Sequence, residues 1–293
     1  MEKNNVCAVI VSYNPEENIY KNMNTLKNIV DYVIIVDNGS SSINSLNSLK
    51  KIEFSIENCK IVYNNCNKGI AYALNQGCKL AIEKGFDWVL TLDDDSSVPE
   101  NMVDVLLEKY EELNDNKIKI LAPIITDFSG KNKNVKSMYI DTAITSGSLM
   151  KLDSFDKVGF FEEAYFIDMV DIEYCFRLKS NGYKIYQVAE AILYHRLGRQ
   201  KSILKIGKRE WKALNHNEIR KYYIYRNTFQ MYKRYFFKYP IPLLLSTKGV
   251  LKIFIDTLVI EENKAIKVKM MIKGIFDGIF NRMGSLDQKE ISR

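Results

Sequence analysis

The chain has no run of about 18 uninterrupted apolar residues, the length a membrane-spanning helix needs. Its opening, MEKNNVCAVIVSYNPEEN, has neither the long apolar stretch nor the small-residue cleavage site of a secretory leader, so residence in the cytosol is expected. Cysteine and histidine are scarce. The five cysteines (Cys7, Cys59, Cys66, Cys78 and Cys175) are odd in number and scattered singly, and only two histidines accompany them. No Cys-x-x-Cys pair is present, and the Cys59 to Cys66 gap is too wide for a zinc knuckle, which argues against a disulfide framework or structural zinc. With 14 glycines and 5 prolines in 293 residues, collagen-like and low-complexity chains are excluded as well. What is present is core: 46% of the residues are hydrophobic, enough for one large globular domain or one domain with an appendage.

The net charge of +6 conceals a division along the chain. Residues 196–293 carry 22 Lys+Arg against 8 Asp+Glu, a surplus of +14, which leaves 20 against 28, or −8, for residues 1–195. An acidic first part is compatible with metal ligation, and a basic, aromatic second part suits phosphates, anionic lipid or nucleic acid. No nucleic-acid recognition motif accompanies the basic part, so a nucleic-acid partner is not expected.

Hydrophobic patterning alternates between strand and helix. Val6 to Ser12 is a continuous β-branched run of the kind buried on both faces of a sheet, ended by Tyr13-Asn14-Pro15. A helix is predicted over Ile19 to Ile29, strands over Tyr32 to Asp37 and Lys60 to Tyr63, a helix over Ile70 to Lys84, and a strand over Trp88 to Leu92 that runs into Asp93. Beyond these come a helix from Pro99 to about Leu113, a strand from Ile118 to Pro123, and a loop over Ser129 to Asn134. A helix over Val170 to Asn181 and a strand over Ile185 to His195 follow. From Lys201 onward the pattern is mostly helical, interrupted at Tyr239-Pro-Ile-Pro242. Strand and helix alternation makes a parallel sheet, and ligands of such sheets sit beyond the carboxyl ends of the strands. Ser12-Tyr13-Asn14, Asp37-Asn38 and Asp93-Asp94-Asp95 all fall there.

Three adjacent carboxylates after a buried strand repel one another unless a positive charge neutralises them. Mg²⁺ or Mn²⁺ suits two carboxylates supplemented by phosphate oxygens; the alternative is a solvated turn with Ser96 or Ser97 capping the next helix. Asp37 either accepts a hydrogen bond from a pyrimidine base or belongs to an ordinary Asp-Asn-Gly turn. Gly69, Ala73 and Gly77 leave one helix face nearly bare, for a ligand or for close packing. Asp171, at a helix start, is either a cap favoured by the helix dipole or a general base. His195 ends a strand, as a satisfied histidine or a third metal ligand.

Taken in order, Val9-Ile-Val-Ser-Tyr-Asn14, Val33-Ile-Ile-Val-Asp-Asn-Gly-Ser40, Asn67-Lys-Gly69, Leu92-Asp-Asp-Asp-Ser96, Thr145-Ser-Gly147, Phe166 to Tyr174 and Tyr194-His195 resemble the motifs of family-2 inverting glycosyltransferases of GT-A fold. Within that family the chain is similar to the bacterial rhamnosyltransferase-like branch, and the resemblance covers roughly residues 6–235. It implies an α/β fold, a Rossmann-like mixed sheet flanked by helices, with a basic helical C-terminal extension. Residues 1–200 would be catalytic, the nucleotide half about 1–98 and the acceptor half about 99–200, and 201–293 the extension. The resemblance further implies that Asp37 reads the base beside Ser12, Tyr13, Asn14 and Asn38, that Asn67 and Gly69 help hold the donor, and that Thr145, Ser146 and Gly147 form the turn beneath donor sugar and acceptor. By the same resemblance Asp93 and Asp95 hold Mg²⁺ or Mn²⁺, His195 joins them on the metal, Asp94 faces ribose or sugar, and Asp171 is the base. Val170 stands where many relatives carry an acidic residue, which makes Asp168 and Glu173 understudies for Asp171.

The implied reaction moves a sugar, first L-rhamnose from dTDP-rhamnose and otherwise galactofuranose or a hexose from UDP, onto a hydroxyl of a cell-surface or lipid-linked glycan in capsule or cell-wall polysaccharide synthesis. Processive synthases carry a Gln-x-x-Arg-Trp motif and spanning helices, of which Lys208-Arg-Glu-Trp211 is only an echo. Nucleotidyltransferases want a glycine-rich loop where this chain has Ser12-Tyr-Asn-Pro15. Tyr222, Tyr223, Tyr225, Phe229, Tyr232, Tyr235, Phe236 and Phe237 interleave with Arg220, Lys221, Arg226, Lys233, Arg234 and Lys238, and Leu243 to Leu258 and Ala265 to Phe280 follow with apolar faces broken by lysines. That pattern fits a helix lying in the interface of an anionic membrane, at the inner face of the cell membrane, or a helical subdomain that packs on the core or forms a homodimer.

Overall fold

The structure, a computed structural model, describes residues 5–16, 18–126, 135–194, 202–206 and 209–286. The chain divides into two compact units, Met1–Phe161 with Arg177–Arg196, and Glu162–Phe176 with Leu197–Arg293.

The first unit is built on one mixed sheet. Its strands are β1 (Val6–Ser12), β2 (Tyr32–Asp37), β3 (Cys59–Tyr63), β4 (Trp88–Asp93), β5 (Ile118–Thr126), β6 (Met138–Ile140), β7 (Leu149–Lys151) and β8 (Lys184–Tyr194), in the order β3-β2-β1-β4-β7-β5-β8-β6. The first four are parallel, as the alternation predicts. β7 enters antiparallel between β4 and β5, and β6 pairs antiparallel with β8, which makes the sheet mixed. β1 and β2 are almost wholly buried because helices cover both faces, which explains why each reads as an uninterrupted β-branched run. Around them lie α1 (Asn18–Leu26), α2 (Ile43–Ser55), α3 (Ile70–Glu83), α4 (Met102–Leu113) and α5 (Ser154–Val158).

One local difference from the sequence reading matters, and at one position the structure favours an alternative that the reading offered. α2 is an extra helix whose buried positions are only Ser45, Leu49 and Ile52, while Ile43 and Phe54 face outward, so its amphipathic signal is faint. The bare face of α3 is used for packing: a Cβ on Gly77 would come within 2.3 Å of Val9 Cγ1, so only glycine lets α3 lie this close to β1.

The second unit contains the first turns of α6 (Val170–Ser180), a 3₁₀ turn (Glu163–Tyr165), an antiparallel hairpin of β9 (Ser202–Ile206) and β10 (Arg209–Ala213), and three helices, α7 (Glu218–Tyr235), α8 (Pro240–Val259) and α9 (Lys264–Ile279). The hairpin stands where the sequence reading expects helix. Ile203, Ile206 and Trp211 are residues of strand preference, and five residues a side is too short to show a helical period. α7 and α9 pack backbone to backbone, since a Cβ on Gly274 would meet Tyr222 O at 2.4 Å and one on Gly278 would meet Arg226 O at 2.6 Å. α7 is therefore an interior helix. Tyr222, Tyr223, Tyr225, Tyr235, Lys221 and Arg226 are buried, so the aromatic and basic interleaving there serves a core, and the free faces belong to α8 and α9.

Candidate active site

In the first unit the strand register brings the predicted residues to one edge. Ser12 pairs with Asp37, and its predecessor Val11 pairs with Asp93, so β1, β2 and β4 end level with one another at their carboxyl termini. This is where the chain must leave the sheet, and polar side chains take over the hydrogen bonds the ladder no longer supplies.

Asp37 is buried, accepts the Ser40 hydroxyl on Oδ1 and accepts the Ser40 N–H on Oδ2 at 3.3 Å. Ser40 Oγ in turn accepts Asn14 N–H at 2.7 Å, and Asn14 Oδ1 accepts the N–H groups of Ser41 and Ser42 at 2.9 Å each. Asn14 stands at φ 51°, a conformation that Asn tolerates, and so clips the exit of β1 to the start of α2. Asn38 is the second clip. Its Nδ2 donates to Asn67 Oδ1 and Gly69 O, both at 3.1 Å, and its Oδ1 accepts Lys68 N–H at 3.1 Å. Gly39 completes the approach, because a Cβ there would lie 2.5 Å from the carbonyl carbon of Cys66.

The Asp93 to Asp95 turn is tied to the Thr145 to Gly147 turn. Ser146 Oγ accepts Asp93 N–H at 3.2 Å and shares a 2.7 Å hydrogen bond with Ser96 Oγ, while Thr91 Oγ1 donates to Thr145 O at 2.5 Å and Gly147 N–H to Thr91 O at 2.7 Å. Gly147 has φ +85°, and a Cβ would lie 2.7 Å from Leu193 Cδ2, so both conformation and space require glycine. The helix after the triplet starts at Met102 with Asn101 before it, so neither Ser96 nor Ser97 is its cap, and the capping alternative for the triplet falls away. Ser97 instead exchanges backbone hydrogen bonds with Tyr194.

Burial, with the charges of Asp95 and Asp93 adding to it, pushes the Asp94 carboxyl up to about 6, against the Tyr13 N–H donated to Oδ2 at 3.3 Å and the Ser12 hydroxyl. Asp93 and Asp95 place two carboxylates, a hard oxygen donor set, on one tight turn. That donor set fits a cation such as Mg²⁺ or Mn²⁺ that completes its shell with phosphate oxygens and water. Among the described residues no group of three or more His, Cys, Asp or Glu side chains is arranged to hold a metal ion. His195 lies outside the described residues.

The remaining candidates belong to the second unit. Residues 166–169 hold three non-glycine residues at positive φ, Phe166 (φ 64°), Asp168 (φ 62°) and Met169 (φ 64°), each costing of order 1–3 kcal/mol. α7 pins this segment. Asn227 Nδ2 reaches Tyr165 O, Ile167 O and Asp168 O at 2.9, 2.7 and 2.9 Å, and Arg226 Nη2 donates to Ala164 O and Tyr165 O at 3.0 and 2.9 Å. Asp171 follows in the first turn of α6, half-buried, and its Oδ1 accepts Ile172 N–H at 2.8 Å. It lines a cavity of about 290 Å³. The two understudies are otherwise engaged. Glu173 is fully buried under the Tyr235 hydroxyl (2.8 Å) and Arg234 (3.1 Å), and Asp168 forms a two-point pair with Arg220 at 3.0 and 3.2 Å.

Sequence reasoning missed Ser40, Asn227 and Arg226. Ser40 had a signal, the Asp-x-x-Ser spacing of an Asx-type turn; Asn227 and Arg226 had none, because they act across some sixty residues of sequence.

Residues 7–163 match the family model described as glycosyl transferase family 2. A Shigella flexneri protein described as dTDP-rhamnosyl transferase RfbF is 30% identical over 302 residues, covering 94% of this chain and 95% of that protein. Among solved structures, S. aureus TarS 1-349 superposes with a TM-score of 0.55 at 14% identity, over 94% of this chain and 72% of TarS 1-349. GalNAc-T7 with UDP, GalNAc and Mn²⁺ superposes with a TM-score of 0.53 at 15% identity, over 66% of this chain, which spans 44% of the length of that structure. These structural likenesses share the GT-A fold. The match over more than half of the chain, together with 30% identity to a protein described as a transferase over 94% of the chain, makes this protein a glycosyltransferase that belongs to glycosyl transferase family 2.

Proposed function

We propose that the chain transfers L-rhamnose from dTDP-rhamnose to a hydroxyl of a cell-surface or lipid-linked glycan, with inversion at the anomeric carbon. The observation that carries the reading is the level ending of β1, β2 and β4, which gathers Ser12, Asp37 and Asp93 on one sheet edge. The full-length likeness to a dTDP-rhamnosyl transferase supports the choice of sugar and base. Asp37, Asn38, Ser12, Tyr13 and Asn14 receive base and ribose, and the rigid Asn38 clip to Asn67 and Gly69 keeps that pocket from collapsing. Asp93 and Asp95 hold Mg²⁺ or Mn²⁺, with His195 as a further ligand, and Asp94 faces the ribose or sugar. A divalent cation held there supplies positive charge for the diphosphate leaving group. Thr145, Ser146 and Gly147 support donor sugar and acceptor, and Asp171 takes the proton of the acceptor hydroxyl, whose oxygen attacks the anomeric carbon.

Incubation of the protein with dTDP-rhamnose or UDP-hexoses, with and without Mg²⁺ or Mn²⁺, tests the reading. Release of dTDP that requires the cation supports it, and turnover of UDP-galactofuranose or a UDP-hexose alone moves the donor to the alternative. Asp171→Asn is expected to lower transfer by about 10²–10⁴-fold while dTDP still raises Tm; near-normal turnover removes Asp171 from the role.

A second reading concerns where the protein works, and it rests on α8. Ile241, Leu244, Leu245, Leu251, Ile255 and Leu258 recur at helical spacing on the solvent side, with Ile241 68% and Leu251 66% exposed, whereas Thr247, Asp256 and Thr257 face inward. Lys248 and Lys252 share the outward face. An apolar stripe bordered by lysines suits the interface of an anionic membrane, at the inner face of the cell membrane. Among the described residues no helix is long and apolar enough to cross a membrane.

A further inference from the structure

Among the described residues of the second unit, one glycine is explained neither by packing nor by a positive φ. Gly249 lies in the middle of α8, where glycine costs about 1 kcal/mol relative to alanine, and a Cβ built on it would meet nothing within 4 Å. Gly274 and Gly278 of α9 are the contrast, since there the missing Cβ is what allows two backbones to touch. What Gly249 faces is the 290 Å³ cavity that Asp171 also lines, at the small end of the roughly 300–1,000 Å³ typical of small-molecule pockets.

The walls of this cavity are of two kinds. Asp168, Asp171 and His216 supply charge and hydrogen bonds, and Ile224 and Ile253 supply apolar surface. Burial, reinforced by Arg220, pushes His216 down to about 4, so at neutral pH its imidazole has one donor and one acceptor nitrogen. The strained 166–169 segment, pinned by Asn227, fixes the polar side. A ring with hydroxyls on its rim and C–H groups on its face matches such walls.

We infer that this cavity receives the terminal sugar ring of the acceptor, and that Gly249 sets the size of ring it admits. The inference rests on the reading of Asp171 as base, and it adds the ligand class, the opposite wall and the position that governs specificity.

Gly249→Leu, in the full chain, fills the cavity from a solvent-accessible helix position. The probes are octyl rhamnoside and octyl N-acetylglucosaminide, followed by saturation-transfer NMR and by rhamnosyl transfer from dTDP-rhamnose. Expected are saturation of sugar-ring protons in the wild type, its loss in Gly249→Leu, a KM for the glycoside raised by about tenfold or more, and a dTDP-induced rise in Tm that persists in the variant. Ser246→Leu, one turn earlier on the same wall, repeats the test should Gly249→Leu fold poorly. Asp171→Asn separates the two readings, because it should abolish transfer yet keep ring saturation. Ring saturation that survives both leucine variants, or that is absent from the wild type for both glycosides, overturns the cavity assignment whatever Asp171→Asn does.

Discussion

In the first unit the interior is Val, Ile and Leu, with Asp37 and Lys119 the charged residues buried among those described, and polar groups gather where strands end. The second unit buries Lys221, Arg226, Glu173, Glu261, Lys267 and Asp277 and turns Ile241, Leu244 and Leu251 outward. An apolar core tolerates exchange among residues of similar volume, so it fixes a fold more than any one atom. A buried polar core is stable only with every partner in place, and therefore fixes positions. The unit that carries Asp171 has the second kind of interior, and its outward apolar face is the surface of a protein that expects something to cover it.

The largest effect should come from breaking the buried charge triad. Glu261 Oε1 accepts Lys221 Nζ at 3.0 Å and its Oε2 accepts Lys267 Nζ at 2.9 Å; burial pushes the Lys221 ammonium down, and Glu261 opposes that. Glu261→Leu leaves two buried ammonium groups without a carboxylate and should cost about 3–5 kcal/mol. Trp88 lies in the first unit and Trp211 in the second, so urea unfolding of Trp→Phe backgrounds reads the loss unit by unit. A larger loss on the Trp88 signal would break the comparison.

Next is the outward face. Leu244→Ser, Leu251→Ser and Ile255→Ser together should leave Tm nearly unchanged, since little is buried there. They should weaken flotation with anionic vesicles by ~10²-fold or more, each apolar side chain being worth about 1.5–3 kcal/mol when buried. Unchanged flotation, with a dimer that dissociates in sedimentation, would give the face to a second copy.

The smallest concerns His216. Burial holds its folded value at about 4, below the ordinary 6.5, with Arg220 and Lys221 adding to the lowering and Asp168 and Glu261 opposing it. The unfolded chain therefore binds a proton between these values that the folded chain refuses. His216 contributes its full stability above pH 6.5 and loses it as pH falls toward 4. His216→Gln should flatten that slope, and an NMR titration midpoint near 6.5 would refute it.

How much of this was legible follows the same division. β1, β2, β4 and α3 announce themselves because local period and burial agree, and Asp37 and Asp93 sit at strand ends that the runs delimit. α2 was missed because its apolar positions are few and two of its large apolar residues are exposed. β7 was illegible as an antiparallel insertion, since three residues hold no orientation. In α7 the sequence misleads, because Lys221 and Arg226 look like surface cations and become buried only through partners 40 to 62 residues away.

Asn227 has a consequence in time. Its amide is made some sixty residues after the carbonyls of Tyr165 to Asp168 that it holds. On a ribosome that releases the chain N-terminus first, the sheet can form while the segment before Asp171 still lacks the α7 amide that pins its positive-φ turns. The turns that precede the proposed base are thus pinned only once α7 has been synthesised.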